Sequence, residues 1–290
     1  MHIKTSTPQA FPLASYKCYS KIRGNTVNRR SFVKSSLLLS TGFISIKTSA
    51  SSVPAQQPSV NPIKGQKFSP NGKAEKYKGC TIICNTNKSS DLFASMLKIQ
   101  VKIQRDFGDV IVLLPPDSYH MTVMELTSGE AKKPWPHNTP FDLSQKEVTE
   151  TIKKMLIGKN LGFTEEVTMQ IDFKRHLSLP EKWNEKKQPA LIIPLKPQTN
   201  HDQEILIKFR DTIASITGVR KKNHDNYFFH TTFGYQLKPM SANNYKEFKV
   251  EYKKWLSYLH EKSTPITFSN PLLCYFEDML EFKPVLQLNN

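Results

Sequence analysis

The sequence predicts an α+β fold of two pseudo-symmetric lobes, with antiparallel-rich sheets flanking a central cleft. Three observations predict it. Apolar runs of strand length alternate with longer stretches whose apolar residues recur at helical spacing. The order strand, helix, strand, helix, strand occurs twice, and its two copies start 110 residues apart, at Cys80 and Ala190. A His-x-Thr run stands at the same place in each copy, at His120 and His230, again 110 apart. Few side chains are shared between the copies, so the repeat is one of pattern, and it implies two lobes related by a pseudo-twofold axis.

The first copy opens with Cys80–Cys84, read as a buried strand. Ser89, Ser90 and Asp91 offer an N-cap to a helix with Leu92, Met96, Ile99 and Ile103 on one face, and Gly108 ends it. Asp109–Leu114 is an apolar strand stopped by Pro115 and Pro116, and Ser118–Leu126 is the next strand. Residues 127–144 form a polar loop with Pro134, Pro136 and Pro140. Ser144 and Glu147 make a capping box for a helix with Val148, Ile152 and Met155. Val167–Leu177 alternates like a strand.

In the second copy Ala190–Leu195 is a strand. Asn200 or Asp202 caps a helix with Ile205, Phe209, Ile213 and Ile216, ended by Gly218. Tyr227–Leu237 is a strand, and Ser241 caps a helix with Tyr245, Phe248, Tyr252, Trp255 and Leu259. Short strands near Ile266–Phe268, Leu272–Phe276 and Val285–Leu288 close the chain. The aliphatic and aromatic stripes on these helices are core.

The first 55 residues read differently. They hold eight basic residues and no Asp or Glu. Arg29-Arg30-Ser31-Phe32-Val33-Lys34 is followed by a modestly apolar run, Ser35–Ile46, and then by small residues up to Ala55. Basic region, apolar run and small-residue site are the parts of a secretory signal, and the paired arginines resemble a twin-arginine export signal. The apolar run is too short and polar to anchor in a bilayer. An organelle transit peptide and a disordered tail with a chance Arg pair are the alternatives. The expected division is an export signal at 1–55, a linker at 56–76 with Pro58, Pro62 and Pro70, and a two-lobed body at 77–290. The expected location is periplasmic or extracellular.

The chain carries a net charge of +16, half of it in that leader. The body is moderately basic, which suits an anionic substrate without demanding a nucleic acid. Cys18 falls in the leader, leaving Cys80, Cys84 and Cys274. On a strand Cys80 and Cys84 lie about 13 Å apart, too far for a disulfide. No Cys-x-x-Cys or Cys/His cluster suggests zinc, so the thiols read as buried and inert.

The chemistry rests on Tyr119-His120-Met121-Thr122-Val123 and Phe229-His230-Thr231-Thr232-Phe233. Side chains alternate along a strand, so His120 and Thr122 share one face, and so do His230 and Thr232. The intervening residues are mostly apolar and point into the core. Two such strands brought together surround a phosphate-sized space with two imidazoles and two hydroxyls. His-x-Thr alone is weak: His137-Asn138-Thr139 also matches, but lies between Pro136 and Pro140, where a strand is disfavoured. Taken singly, each motif is better explained by a structural His. The matching place in both copies favours function.

Two His-x-Thr motifs with apolar flanks, one per lobe, resemble the 2H phosphoesterase superfamily. That superfamily includes 2′,3′-cyclic nucleotide phosphodiesterases and RNA ligase-like enzymes, and the chain looks closest to a bacterial branch of it. The resemblance covers roughly residues 77–290. It implies a hydrolase that opens a cyclic 2′,3′-type or a 2′-5′ phosphodiester without metal or cofactor. One His would act as base and the other as acid, with Thr122 and Thr232 donating to the phosphate oxygens. Tyr227, Arg175, Trp135 and Lys222 are the expected substrate-binding residues, Trp135 by stacking and Lys222 from a basic loop before the second motif. The expected partner is a small phosphodiester or nucleotide, with no stable nucleic-acid complex, no membrane once the signal is removed, and a monomeric chain. The rival readings are a metal-dependent hydrolase, a non-catalytic phosphate- or RNA-binding protein with the same fold, and an RNA-ligating protein.

Overall fold

The computed structural model describes residues 66–129, 134–177 and 188–288. The expected export signal and residues 56–65 of the expected linker lie outside them. Among the described residues one antiparallel sheet takes in every strand. In the first half these are β1 (Gly79–Asn85), β2 (Ile111–Leu113), β3 (His120–Ser128) and β4 (Val167–Ile171). In the second they are β5 (Ala190–Pro197), β6 (Phe229–Gln236), β7 (Ile266–Phe268), β8 (Leu272–Phe276) and β9 (Lys283–Gln287). The spatial order is β7-β4-β5-β6-β3-β1-β8-β9, with β2 paired to β6. The sheet curls into a half-barrel. The two expected lobes are its two ends.

The halves join at the middle of that order, where β3 meets β6 through Met121 and Thr231. These two positions are themselves 110 apart. Each is therefore the repeat-mate of the other, and the pseudo-twofold axis runs through the pair. The helices obey the same axis. α1 (Asp91–Phe107) packs on α5 (Ala242–Ser263), and α2 (Gln145–Leu156) packs on α4 (Asn200–Thr217), so the first helix of each half meets the second helix of the other.

The helix boundaries follow from caps. Ser90 accepts from the Phe93 amide at the start of α1, and Ser144 with Glu147 forms the expected capping box on α2. On α4 the cap is Thr199, not Asn200 or Asp202. Its hydroxyl accepts from the Asp202 amide while the Asp202 carboxylate reaches back to the Thr199 amide, which makes a second capping box. Gly218 ends α4 at φ 76°, a conformation glycine adopts without strain. Gly234 is needed for another reason: a Cβ there would collide with the Val112 carbonyl oxygen where β2 pairs with β6.

Two segments differ from expectation. The strand expected over Val167–Leu177 stops at Ile171, because the Asp172 carboxylate accepts from the Arg175 amide at 3.2 Å and caps a short helix, α3 (Phe173–Leu177). Residues 66–76, expected as linker, pack on the body. Phe68 is fully buried against Tyr235, and the Gln188 side-chain oxygen accepts from the Lys67 and Phe68 amides. No helix among the described residues is long and apolar enough to cross a membrane.

The α1–α5 contact is aromatic. Phe107 sits edge-on to Phe248 at 5.5 Å and to Trp255 at 6.0 Å, and all three are buried. Phe107→Ala is expected to cost about 3–5 kcal/mol in urea unfolding. A loss under about 1 kcal/mol would mean that this helix pair does not hold the halves together.

Candidate active site

Alternation along β3 and β6 decides which side chains meet. Met121 and Val123 on β3, and Phe229, Thr231 and Phe233 on β6, are buried on the helix side. His120, Thr122, His230 and Thr232 stand on the other face, and all four line one cavity of about 120 Å³. Continuing the Met121–Thr231 register by one residue sets His120 across from Thr232 and Thr122 across from His230. The four residues thus form two crossed His/Thr couples around the axis.

Each ring is held in the same way. His120 Nδ1 lies 2.7 Å from the Ser118 carbonyl oxygen, and His230 Nδ1 lies 3.0 Å from that of Phe228, two residues upstream in both cases. A carbonyl can only accept, so Nδ1 carries the proton and Nε2 of each neutral ring is left as an acceptor.

The electrostatic surroundings of the two rings differ. Burial pushes the His120 pKa down to about 4, against the help of the Ser118 carbonyl and with a further push from His230. The Phe282 ring stands edge-on to His120 at 4.3 Å. Burial also lowers the His230 pKa, but there the Phe228 carbonyl and the Glu125 carboxylate pull it back up, while Lys67 opposes them.

Glu125 reaches the cavity because β3 breaks its own alternation. Val123 is skipped in the pairing of β3 with β1, so Val123 and Met124 are both buried and the phase shifts by one. Glu125 and Thr127 then face the cavity with His120 and Thr122. β6 does the same against β5: Phe233 is skipped, and Tyr235 faces the cavity. Val123 and Phe233 are repeat-mates, and so are Glu125 and Tyr235. Burial works against the Glu125 charge, but Lys221 at 2.9 Å, His230 and Lys67 more than offset it and hold the carboxyl below its usual range.

Lys67 comes from the arm expected as linker. Its ammonium lies 4.7 Å from the centre of the Tyr235 ring and 5.2 Å from that of Tyr77, and donates to the Tyr235 hydroxyl at 3.3 Å. Burial alone would favour the neutral amine. Tyr235, Tyr77 and Glu125 outweigh it, so the group stays charged. Tyr77, Phe276, Met279 and Phe282 complete an apolar wall of the cavity.

The expected substrate-binding residues do not join this cavity. Trp135 donates its indole N–H to the Pro140 carbonyl and stacks on Phe141. Lys222 is exposed, and its neighbour Lys221 makes the contact to Glu125. Tyr227 and Arg175 line a different cavity, bounded by α3 and α4. Arg175, expected on a strand, sits on a helix, its guanidinium 5.1 Å from the centre of the Phe228 ring. The decoy His137 lies outside the cavity, its amide bonded to the Thr217 carbonyl oxygen.

Cys80, Cys84 and Cys274 are free and buried. Burial pushes Cys80 and Cys274 up to about 12, and raises Cys84 as well, so none is a thiolate nucleophile near neutral pH. Among the described residues one group of side chains is close enough to hold a metal ion: Asp211, His224 and Asp225. It lies outside the cavity, and Arg220 already bridges its two carboxylates.

Residues 67–177 match the family described as "2H-phosphodiest: Domain of unknown function (DUF1868)". No curated protein matches the chain. The conserved protein of unknown function ATU0111 from Agrobacterium tumefaciens str. C58 shares the fold at a TM-score of 0.66, with 22% identity over 78% of this chain and 91% of that one. LigT of E. coli aligns at a TM-score of 0.36, with 10% identity over 74% of this chain and 100% of its own. TT0787 of Thermus thermophilus aligns at 0.35, with 10% identity over 73% of this chain and 98% of its own. Over residues 67–177 the chain is thus similar to the 2H phosphodiesterase family, and it shares its fold with ATU0111.

Proposed function

We propose that this chain hydrolyses a cyclic 2′,3′-type or a 2′-5′ phosphodiester, with His120 as general base and His230 as general acid. One observation carries the reading: both imidazoles and both threonines line a single cavity, each ring with its Nε2 free of the backbone.

Neutral His120 takes a proton from water as the water oxygen attacks phosphorus. Protonated His230 gives its Nε2 proton to the sugar oxygen as the P–O bond breaks, and the product is a phosphomonoester. The Thr122 and Thr232 hydroxyls donate to the non-bridging oxygens, and the Lys67 ammonium balances the charge that builds there. The assignment of roles follows from the surroundings. His120 is held neutral by burial, whereas the Glu125 carboxylate favours the proton on His230. The apolar wall of Tyr77, Phe276 and Phe282 suits a flat group attached to the phosphate. A mature chain starting near residue 56, as the export reading has it, keeps every residue of the cavity.

His120→Ala and His230→Ala are each expected to lower kcat by about 10²–10⁴-fold on 2′,3′-cyclic nucleotides or 2′-5′ dinucleotides, while His137→Ala does not. Lys67→Met should cost about 10–100-fold in kcat/KM, the weight of a charged hydrogen bond. Activity in excess chelator should equal that without it. Binding without turnover in the wild type would favour the non-catalytic alternative.

The pH profile has a sign. The base must be neutral, so kcat/KM rises with pH through the depressed His120 pKa of about 4. The acid must be protonated, so kcat/KM falls as pH climbs through the His230 pKa, which lies below its ordinary value of 6.5. Glu125→Gln removes the charge that raises the His230 pKa and should move the falling limb to lower pH. An unmoved falling limb would take the acid role away from His230.

A further inference from the structure

The second cavity, of about 170 Å³, lies between α3, the end of β5, α4 and the approach to β6. Arg210 on α4 lines it and is only 5% exposed. The guanidinium stacks at 4.3 Å from the centre of the Tyr227 ring and 5.9 Å from that of Phe229. Stacking uses the face of the group and leaves its N–H donors unspent. Among the described residues Arg210 has no hydrogen bond and no ion pair, and its Nε is buried without an acceptor. The Tyr227 hydroxyl, in the same wall, is also buried without a partner. A buried charge and a buried hydroxyl in this state are costly unless something meets them.

The nearby carboxylates are otherwise engaged. Asp211 accepts from Arg220 and lies against the His224 ring, each at 2.8 Å. Asp225 pairs with Arg220, and Asp172 lies 3.8 Å from Arg175. Lys196, on β5 in the same lining, has no ion pair among the described residues. Of the charged groups lining the cavity, Arg210 and Lys196 have no ion pair among the described residues; the Asp211 and Asp225 carboxylates act on Arg210 only from a distance. Phe228 divides this cavity from the catalytic candidates: its ring lies 5.1 Å from the Arg175 guanidinium and 5.4 Å from the His230 ring.

We propose that this cavity is a second oxyanion site, separate from the paired histidines, which takes a phosphate group between Arg210 and Lys196. A guanidinium with free donors beside an ammonium is the chemistry that recognises a tetrahedral oxyanion, in inorganic phosphate or a phosphomonoester alike. The Tyr227 hydroxyl supplies a neutral donor in the same wall.

The test is equilibrium dialysis of inorganic phosphate against the full chain, with the wild type beside Arg210→Met, Lys196→Gln and the double variant His120→Ala/His230→Ala. Arg210→Met keeps the bulk of the buried stem. Lys196→Gln changes a half-exposed strand residue and keeps the fold even if the first variant does not. The expected result is that the histidine double variant still binds one phosphate per chain. Adding Arg210→Met to it abolishes that binding, and adding Lys196→Gln weakens it about 10-fold. Turnover by Arg210→Met alone stays at the wild-type level. Phosphate binding of unchanged stoichiometry and affinity in both Arg210→Met and Lys196→Gln would overturn the proposal, and would mean that Arg210 only stacks. Phosphomonoester probes of increasing size, run on the histidine double variant, distinguish free phosphate from a larger phosphorylated ligand.

Discussion

Met121 and Thr231 form the pair on which the geometry of the site depends. An antiparallel pair has a local twofold axis between its two residues. Here the two residues are also equivalent by sequence repeat, so the local axis and the axis of the whole domain coincide. Every symmetric feature follows from that coincidence. The crossed His/Thr couples lie on either side of the pair. Both rings are tied to the carbonyl two residues upstream. Both strands break phase at equivalent residues, Val123 and Phe233. A register slip of one residue between β3 and β6 would send one histidine to the helix side and leave the other facing the cavity alone.

The proposed chemistry at a single phosphorus needs the opposite of symmetry, because the base and the acid must differ in protonation. The fold supplies the difference at the first position beyond the bulges that faces the cavity. One half places Glu125 there and the other Tyr235. The carboxylate favours the proton on His230, while burial beside Phe282 keeps His120 neutral. Lys67 then rests on Tyr235, so a cation of the cavity comes from outside the repeat. A symmetric backbone thus carries an asymmetric pair of titrating groups.

Much of this is legible in the sequence, for reasons that also explain the gaps. Strand alternation fixes which side of a strand a residue takes, so the facing of His120 with Thr122 and of His230 with Thr232 can be read directly. The spacing of 110 pairs the halves. Alternation alone misses Glu125 and Tyr235, because a bulge reverses it beyond that point. The adjacent Val123-Met124 pair, apolar at both positions, is the available signal. Lys67 escapes notice because its segment is rich in Pro, Gly and polar residues and reads as linker, although Phe68 anchors it. Arg175 is misplaced because an Asp cap directly after a strand looks, in alternation alone, like more strand. The basic residue that reaches Glu125 is Lys221, one position before Lys222, and no pattern argument resolves a single residue in a loop.

The central claim is that both rings face one phosphorus. A crystal structure of the chain with bound orthovanadate, a mimic of the five-coordinate phosphorus, measures that directly. The crossed couples predict one vanadate with apical oxygens within hydrogen-bonding distance of Nε2 of His120 and Nε2 of His230, and equatorial oxygens on the Thr122 and Thr232 hydroxyls. A vanadate that touches only one of the two rings, or a cavity in which the rings bind separate anions, would contradict it.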